Sequence, residues 1–148
     1  MSQFLSDTAV SPLNGSRWRA EVHRGWRIGS VANGGYVLAL VGRALSQALK
    51  QPDPLSINAF YLAPVALGEV EVAVESLSET RSTHFASADL KQEGELKLRA
   101  TAASTDLDKL KGPDWAKVAP PEVPAFHESA SLAMSHLEIH QSIDLRMV

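Results

Sequence analysis

The chain has 148 residues, a net charge of −3 and 45% apolar residues, which fits one domain able to bury about 68–70% of its unfolded surface. No apolar run approaches the roughly 18 residues of a membrane span, and no basic stripe interleaved with aromatics suits nucleic acid. Cysteine is absent, which excludes disulfides, thiolate zinc sites and a cysteine nucleophile.

The N-terminus, "MSQFLSDTAVSPLNG", has neither the basic segment nor the unbroken apolar stretch of a secretory leader, so a cytoplasmic location is expected. Asn14-Gly15-Ser16 fits a glycosylation sequon, but without a leader it is read as an Asn-Gly turn. In "SRWRAEVHRGW", Trp18, Ala20 and Val22 alternate with Arg17, Arg19 and Glu21, the pattern of a half-buried strand. From Gly34 to Leu49 the apolar positions recur at helical spacing, with Arg43, Ser46, Gln47 and Lys50 opposite them. The first two turns, Gly34 to Gly42, are apolar all round. This helix is therefore expected to enter the core N-terminus first, with Gly42 at a close packing contact, and Pro52 and Pro54 stop it.

The next fifty residues read as four strands: "SINAFYLAP", "GEVEVAVESL", "STHFASADL" and "ELKLRATAAS", the last two separated by a turn at Gln92 to Glu95. Their short connections predict successive antiparallel hairpins. One very apolar helix followed by a meander that must wrap it predicts an α+β fold, a curved antiparallel sheet around a single central helix. Four prolines between Gly112 and Phe126 end the sheet and read as a semi-rigid linker. In "HLEIHQSIDLRMV" apolar and polar residues alternate, which predicts a terminal strand and the opening of another domain.

Few side chains suggest chemistry. His136 and His140 invite a metal reading, but on a strand they stand about 13 Å apart and cannot share an ion; no metal site is expected. His84, within a strand, is read as a satisfied structural histidine in preference to a catalytic base. No G-x-S-x-G elbow, P-loop or dinucleotide fingerprint occurs, so a serine hydrolase, nucleotide hydrolysis and hydride transfer are disfavoured and no cofactor is expected. Asn33-Gly34-Gly35-Tyr36 remains. Asn33 is a good helix N-cap and the glycines permit a tight entry. Equally, two amides without side chains at the positive end of a helix can hold a carbonyl oxygen and stabilise an oxyanion forming from it. The residues alone leave both readings open.

"NGGYVLALVGRAL", "PDPLSINAFYLAPVALGEVEVAVESL", "ETRSTHFASADLKQEGEL" and the "PPEVP" linker, covering roughly residues 15 to 125, resemble the acyl-CoA thioesterase II-like family, whose chains carry two hot-dog units in tandem. The resemblance implies a hot-dog domain over residues 1–111, a linker over 112–128 and the start of a second unit at 129–148. It implies an acyl-CoA thioester hydrolase that works as a dimer or with a second hot-dog domain. Asn33, Gly34 and Gly35 become candidates for the end that polarises the thioester carbonyl, and Tyr36 for the pocket wall. Arg81, Ser82 and Thr83, with the adjoining His84, become candidates for contacts with substrate or its CoA portion. Single-domain relatives place a carboxylate on the central helix about two turns past the glycine, whereas here no Asp or Glu occurs from Gly34 to Lys50. In the tandem relatives the groups that position the attacking water lie in the second half. The missing carboxylate also keeps open a non-catalytic module that binds an acyl thioester or serves assembly. A hot-dog dehydratase or hydratase is a third reading, for which only His84 is available.

Overall fold

Alternation at the level of single residues builds the sheet. The computed structural model describes residues 2–112, 119–132, 134 and 136–147. A short helix α1 (Gln3–Asp7) precedes strands β1 (Val10–Pro12) and β2 (Arg17–Val22), which are joined by the Asn-Gly turn with Gly15 at φ +55°. A 3-10 turn at Arg24–Trp26 leads to the small hairpin β3 (Arg27–Ile28) and β4 (Val31–Ala32), and then to the central helix α2 (Gly34–Ala48). Strands β5 (Asp53–Tyr61), β6 (Gly68–Glu79), β7 (Thr83–Gln92) and β8 (Glu95–Thr105) follow. The turn between β7 and β8 uses positive φ at Glu93 and Gly94, as a two-residue hairpin requires.

One antiparallel sheet of six strands, in the order β1-β2-β6-β7-β8-β5, curls around α2. Its inner face is made by Trp18, Ala20 and Val22 of β2, Val70, Val72 and Val74 of β6, Ala86, Ala88 and Leu90 of β7, and Leu98 and Ala100 of β8, all buried. The helix presents Tyr36, Val37, Leu40, Val41, Ala44 and Leu45 to them. Alanines at the middle of β7 and β8 leave room for the helix to lie close. Each large aliphatic side chain removed from water here contributes about 1.5–3 kcal/mol.

Three expectations are corrected. The strands after the helix are not four successive hairpins: β6, β7 and β8 form a meander, but β5 pairs with β8 at the far edge. Residues 62–67 cross the end of the sheet, where the Leu62 and Ala63 amides both donate to Lys97 O and the Gln92 side chain clamps Ala66 at its N–H and carbonyl. Six extended residues reach about 20 Å, enough to cross three strand spacings of about 4.8 Å.

Nor does the helix bury its first two turns completely. Gly35 is exposed, and Gly34, Leu38, Ala39 and Gly42 are only half-buried. Gly42 marks no close contact: among the described residues no heavy atom lies within 4 Å of where its Cβ would stand. The helix is apolar on this side because it faces a seam beside β5 that the sheet leaves uncovered.

The tail is not one strand. Ile139–Ser142 forms a short helix, α3, between β9 (Ala130–Ser131) and β10 (Arg146–Met147), which pair with each other. A lone strand without a neighbour would leave its amides unpaired; the local bonds His140 N to Leu137 O and Gln141 N to Glu138 O satisfy them. Ile139 is buried in the core, and Glu138 pairs with both Arg24 and Arg27. Part of the expected linker, residues 113–118, lies outside the described residues; 119–125 has no helix or strand. Among the described residues no helix is long and apolar enough to cross a membrane.

Candidate functional site

The N-terminus of α2 is held by its cap from both sides. Asn33, extended at φ −62° and ψ 135°, accepts the Tyr36 amide on Oδ1 at 3.2 Å, while its own amide donates to Trp26 O at 2.8 Å. The bare positions after it serve this geometry. A Cβ on Gly35 would stand 3.1 Å from Asn33 Oδ1, and a Cβ on Gly34 would stand 3.1 Å from Cε1 of Tyr61. The N-cap reading of Asn33 therefore holds. It does not exhaust the glycines, because among the described residues the Gly34 and Gly35 amides donate to no protein acceptor.

Beside them lies an open groove of about 300 Å³ between the helix end and two loops. Val31 and Ala32 form one wall, Leu62 to Val65 another, and Gly34, Val37 and Tyr61 the helix side. The Ala32 amide donates to Val65 O at 2.9 Å, which ties the two loops together. Among the described residues no charged side chain lines the groove, and the first turn of α2 contains no acid to offset the positive helix end. An electron-rich oxygen entering here would meet the Gly34 amide, a donor without a protein acceptor among the described residues, at the positive end of the helix.

The other sequence candidates do not converge on this groove. Tyr36 is not among the residues lining this groove: it is 2% exposed, stacks on Trp26 with ring centres 5.4 Å apart, and donates its hydroxyl to Asp7 O at 2.7 Å. Burial raises its phenol above the ordinary value of 10.0. It anchors the helix end to the first strands. Arg81, Ser82 and Thr83 lie at the opposite end of α2, about 22 Å along a fifteen-residue helix. Their backbone closes a turn: Thr80 donates to Thr83 O, Gln51 Nε2 to Arg81 O and Thr105 Oγ1 to Ser82 O. Arg81 and Ser82 line a separate cavity of about 150 Å³ with Thr105, Asp106 and Lys109. His84 is buried beneath the C-terminal end of α2, its Nδ1 accepting the Lys50 amide and its Nε2 2.7 Å from Ser76 Oγ. Both ring nitrogens are thus engaged in holding strand to helix. Among the described residues no three His, Asp or Glu side chains are grouped to hold a metal ion.

Residues 22–105 match the family described as the acyl-CoA thioesterase N-terminal domain. The chain belongs to that family. It superposes on a Thermobifida fusca protein assigned as a thioesterase II with a TM-score of 0.81 and 28% identity, over 89% of this chain and 49% of that one. A hot-dog protein of unknown function from Alicyclobacillus acidocaldarius gives a TM-score of 0.88 at 19% identity, over 100% of this chain and 56% of the other. The tesB protein of Mycobacterium avium subspecies paratuberculosis gives 0.70 at 18% identity, over 85% and 49%. The last two show the hot-dog fold alone. The chain spans about half the length of each of these three structures. No curated protein matches the sequence.

Within this thioesterase-family domain the sequence reading missed Tyr61. Its hydroxyl donates to Gly34 O at 3.0 Å and its half-exposed ring forms the rim of the groove. Strand parity held the signal, since Ile57, Ala59 and Tyr61 share the inner face of β5 and pair with Ala102, Ala100 and Leu98.

Proposed function

We propose that this chain is one hot-dog unit of an acyl-CoA thioesterase and supplies the end of the site that holds the thioester carbonyl. The carrying observation is Gly34, whose amide has no protein acceptor among the described residues and which borders an uncharged groove at the positive end of α2, with the likewise unpartnered Gly35 amide next to it. As water attacks the thioester carbon, negative charge collects on the carbonyl oxygen. Donors aimed at that oxygen lower the barrier by about 3–4 kcal/mol each. The group that activates the water is assigned to a second hot-dog unit, because neither the groove nor the helix from Gly34 to Lys50 offers a carboxylate. That unit covers the seam between α2 and β5, where the outer edge of β5 has no partner strand among the described residues and Ile57 and Tyr61 are exposed.

Residues 112–128 connect the two units, and 129–148 form the approach to the second, held on the first through Glu138 and Ile139. Farther along the same helix an apolar cavity of about 90 Å³ lies between Gly42 and Leu45 of α2, the following Leu49, and Pro54 and Ile57 of β5. This is the seat assigned to the far end of the acyl chain.

The test compares this chain alone with the same chain joined to or mixed with a second hot-dog unit. Calorimetry reads acyl-CoA binding and thiol release reads hydrolysis. Binding by the chain alone, with turnover appearing only when the second unit is present, is the expected outcome. Full turnover by the chain alone would overturn the division of labour.

The absence of a carboxylate also favours a second reading, a module that binds an acyl thioester without hydrolysing it. Binding that persists without turnover even in the presence of the second unit selects it. The dehydratase reading needs a histidine free to move a proton, and His84 is buried with both nitrogens engaged.

A further inference from the structure

Residues 137–142 grip one short loop of the hot-dog unit, and contacts of different kinds converge there. The Glu138 carboxylate accepts from both Arg24 and Arg27, with Arg24 Nε and Arg27 Nη2 each 2.9 Å from Oε1 and Arg27 Nε on Oε2. Ser142 Oγ donates to Gly25 O at 2.9 Å, and Gly25 has to be bare for it, since a Cβ there would stand 2.9 Å from that same Oγ. Between the two, Ile139 is buried in the main core. Exposed ion pairs alone hold little; the buried isoleucine between the charged and the hydroxyl contacts makes this a clasp.

The loop it grips carries one wall of the groove. The 3-10 turn at Arg24–Trp26 runs directly into the β3–β4 hairpin, in which Arg27 pairs with Ala32 and Ile28 with Val31. Val31 and Ala32 line the groove, and Trp26 O accepts the amide of the cap residue Asn33 at 2.8 Å. The hairpin has little stability of its own. Its strands have 2 residues each and pair only with each other, apart from the six-stranded sheet, and a lone hairpin is marginal at best in water. Trp26 before it is secured by stacking on Tyr36 and by donating Nε1 to Asp7. Arg27, the first residue of the hairpin, has no side-chain partner but Glu138 among the described residues.

We infer that residues 137–142 are a brace: docked, they set the position of the β3–β4 hairpin and with it the Val31–Ala32 wall of the groove, and undocked they release it. The shape of the groove is thereby conditional on a segment 111 residues farther along the chain, the separation of Arg27 from Glu138. Under the proposed function the same stretch leads toward the second unit, so that one clasp joins assembly to groove shape. The brace itself stands on the fold and does not depend on what the groove holds.

The test is hydrogen exchange of the whole chain, read by mass spectrometry on peptides covering residues 27–33, residues 136–142 and strands β6 to β8. Glu138→Arg combined with Ser142→Ala alters the brace alone: it sets a third positive charge against Arg24 and Arg27 and removes the bond to Gly25 O. Ile139→Asp undocks the segment by a separate route, placing a charge where the core receives an apolar side chain. In both variants residues 136–142 and 27–33 are expected to exchange about tenfold faster or more, while β6 to β8 keep their protection. Faster exchange at 136–142 with 27–33 unchanged overturns the brace and leaves the reading of the groove standing. An equal rise across β6 to β8 also overturns it, because the segment then supports the whole sheet. So does a segment that is unprotected in the unsubstituted chain or stays protected in both variants, because the named contacts then do not hold it.

Discussion

Gly34→Pro removes a single hydrogen from the site and little else. Proline is favoured at the first position of a helix, where the N–H has no partner within the helix. The residue before a proline must be extended, and Asn33 already is, at φ −62° and ψ 135°. Since the Gly34 amide has no protein acceptor among the described residues, no internal hydrogen bond is lost. The ring brings a Cβ to 3.1 Å from Tyr61 Cε1, which the half-exposed tyrosine can relieve by turning outward. Against that, fixing φ in the unfolded chain contributes about 0.4–1 kcal/mol in favour of the fold. Stability should therefore stay within about 1 kcal/mol of the unsubstituted chain, read by thermal or urea unfolding. The effect on catalysis should be far larger. Losing one donor to an oxyanion lowers kcat by about 10²–10³-fold. Gly34→Ala is the matched control, because it adds the same Cβ contact and retains the N–H. With the assembled enzyme and a thiol-release assay, the ratio of the proline to the alanine variant isolates the amide. A folded proline variant with the same kcat as the alanine variant would show that this amide holds no reacting oxygen.

Gly42→Leu should be accepted without disturbing the helix, because nothing described lies within 4 Å of its Cβ, and the new side chain enters the 90 Å³ cavity. A shift of the preferred substrate toward shorter acyl chains is expected, and an unchanged chain-length profile would remove that cavity from the acyl path. His84→Ala leaves Ser76 Oγ and the Lys50 amide without their partner beneath the helix end, and should cost about 1–3 kcal/mol in urea unfolding while kcat per folded molecule is retained. The hydrogen bonds to Arg27 and Arg24 hold the Glu138 carboxyl below its ordinary value of 4.5. A carboxylate depressed in the folded state stabilises above its unfolded value and loses that contribution as pH falls through the folded one. Docking of the 136–147 segment should thus weaken below about pH 4.5, seen as faster proteolysis of the tail, and Glu138→Gln should remove this pH dependence.

Much of the fold could be read from the chain because period two and period 3.6 each report one buried face. Trp18, Ala20 and Val22, and Val70, Val72 and Val74, lie inside as their alternation requires. Pairing order was not legible in the same way: a short connection after Tyr61 suggests a hairpin, and only the coordinates show it crossing the sheet end to leave β5 beside β8. In the tail, Leu137, Ile139 and Ile143 alternate as a strand would, but Ile139–Ser142 forms a helical turn that puts Ile139 into the core, and only Arg146–Met147 pairs as a strand, with Ala130–Ser131. At the candidate site, the N-cap role of Asn33 and the tight helix entry at the two glycines were legible from type and spacing, while Tyr36 is buried and Arg81 to Thr83 close a turn at the far helix end. Tyr61 was hidden by its strand. An aromatic at the end of a sheet edge looks like ordinary packing until the glycine beneath it is seen to make room.

The uncovered side of α2 and the missing acid point to the same physical conclusion. A helix whose outward face carries Gly34, Leu38, Ala39 and Gly42 is too apolar to remain wet beside the open edge of β5, where Ile57 and Tyr61 of the helix-facing side are also exposed. Covering that seam with a second hot-dog unit would close the groove above Gly34 and Gly35, expel water from it and strengthen both amide donors by lowering the local dielectric. The same closure would bring in side chains that this unit lacks. A carboxylate built into this seam before assembly would stand unpaired beside an apolar surface. Supplying it from the covering unit avoids that cost until the substrate and the positive helix end are in place. Under the proposed function, the absence of acid from Gly34 to Lys50 is what a shared site would require, with one unit holding the oxygen and the other delivering the water.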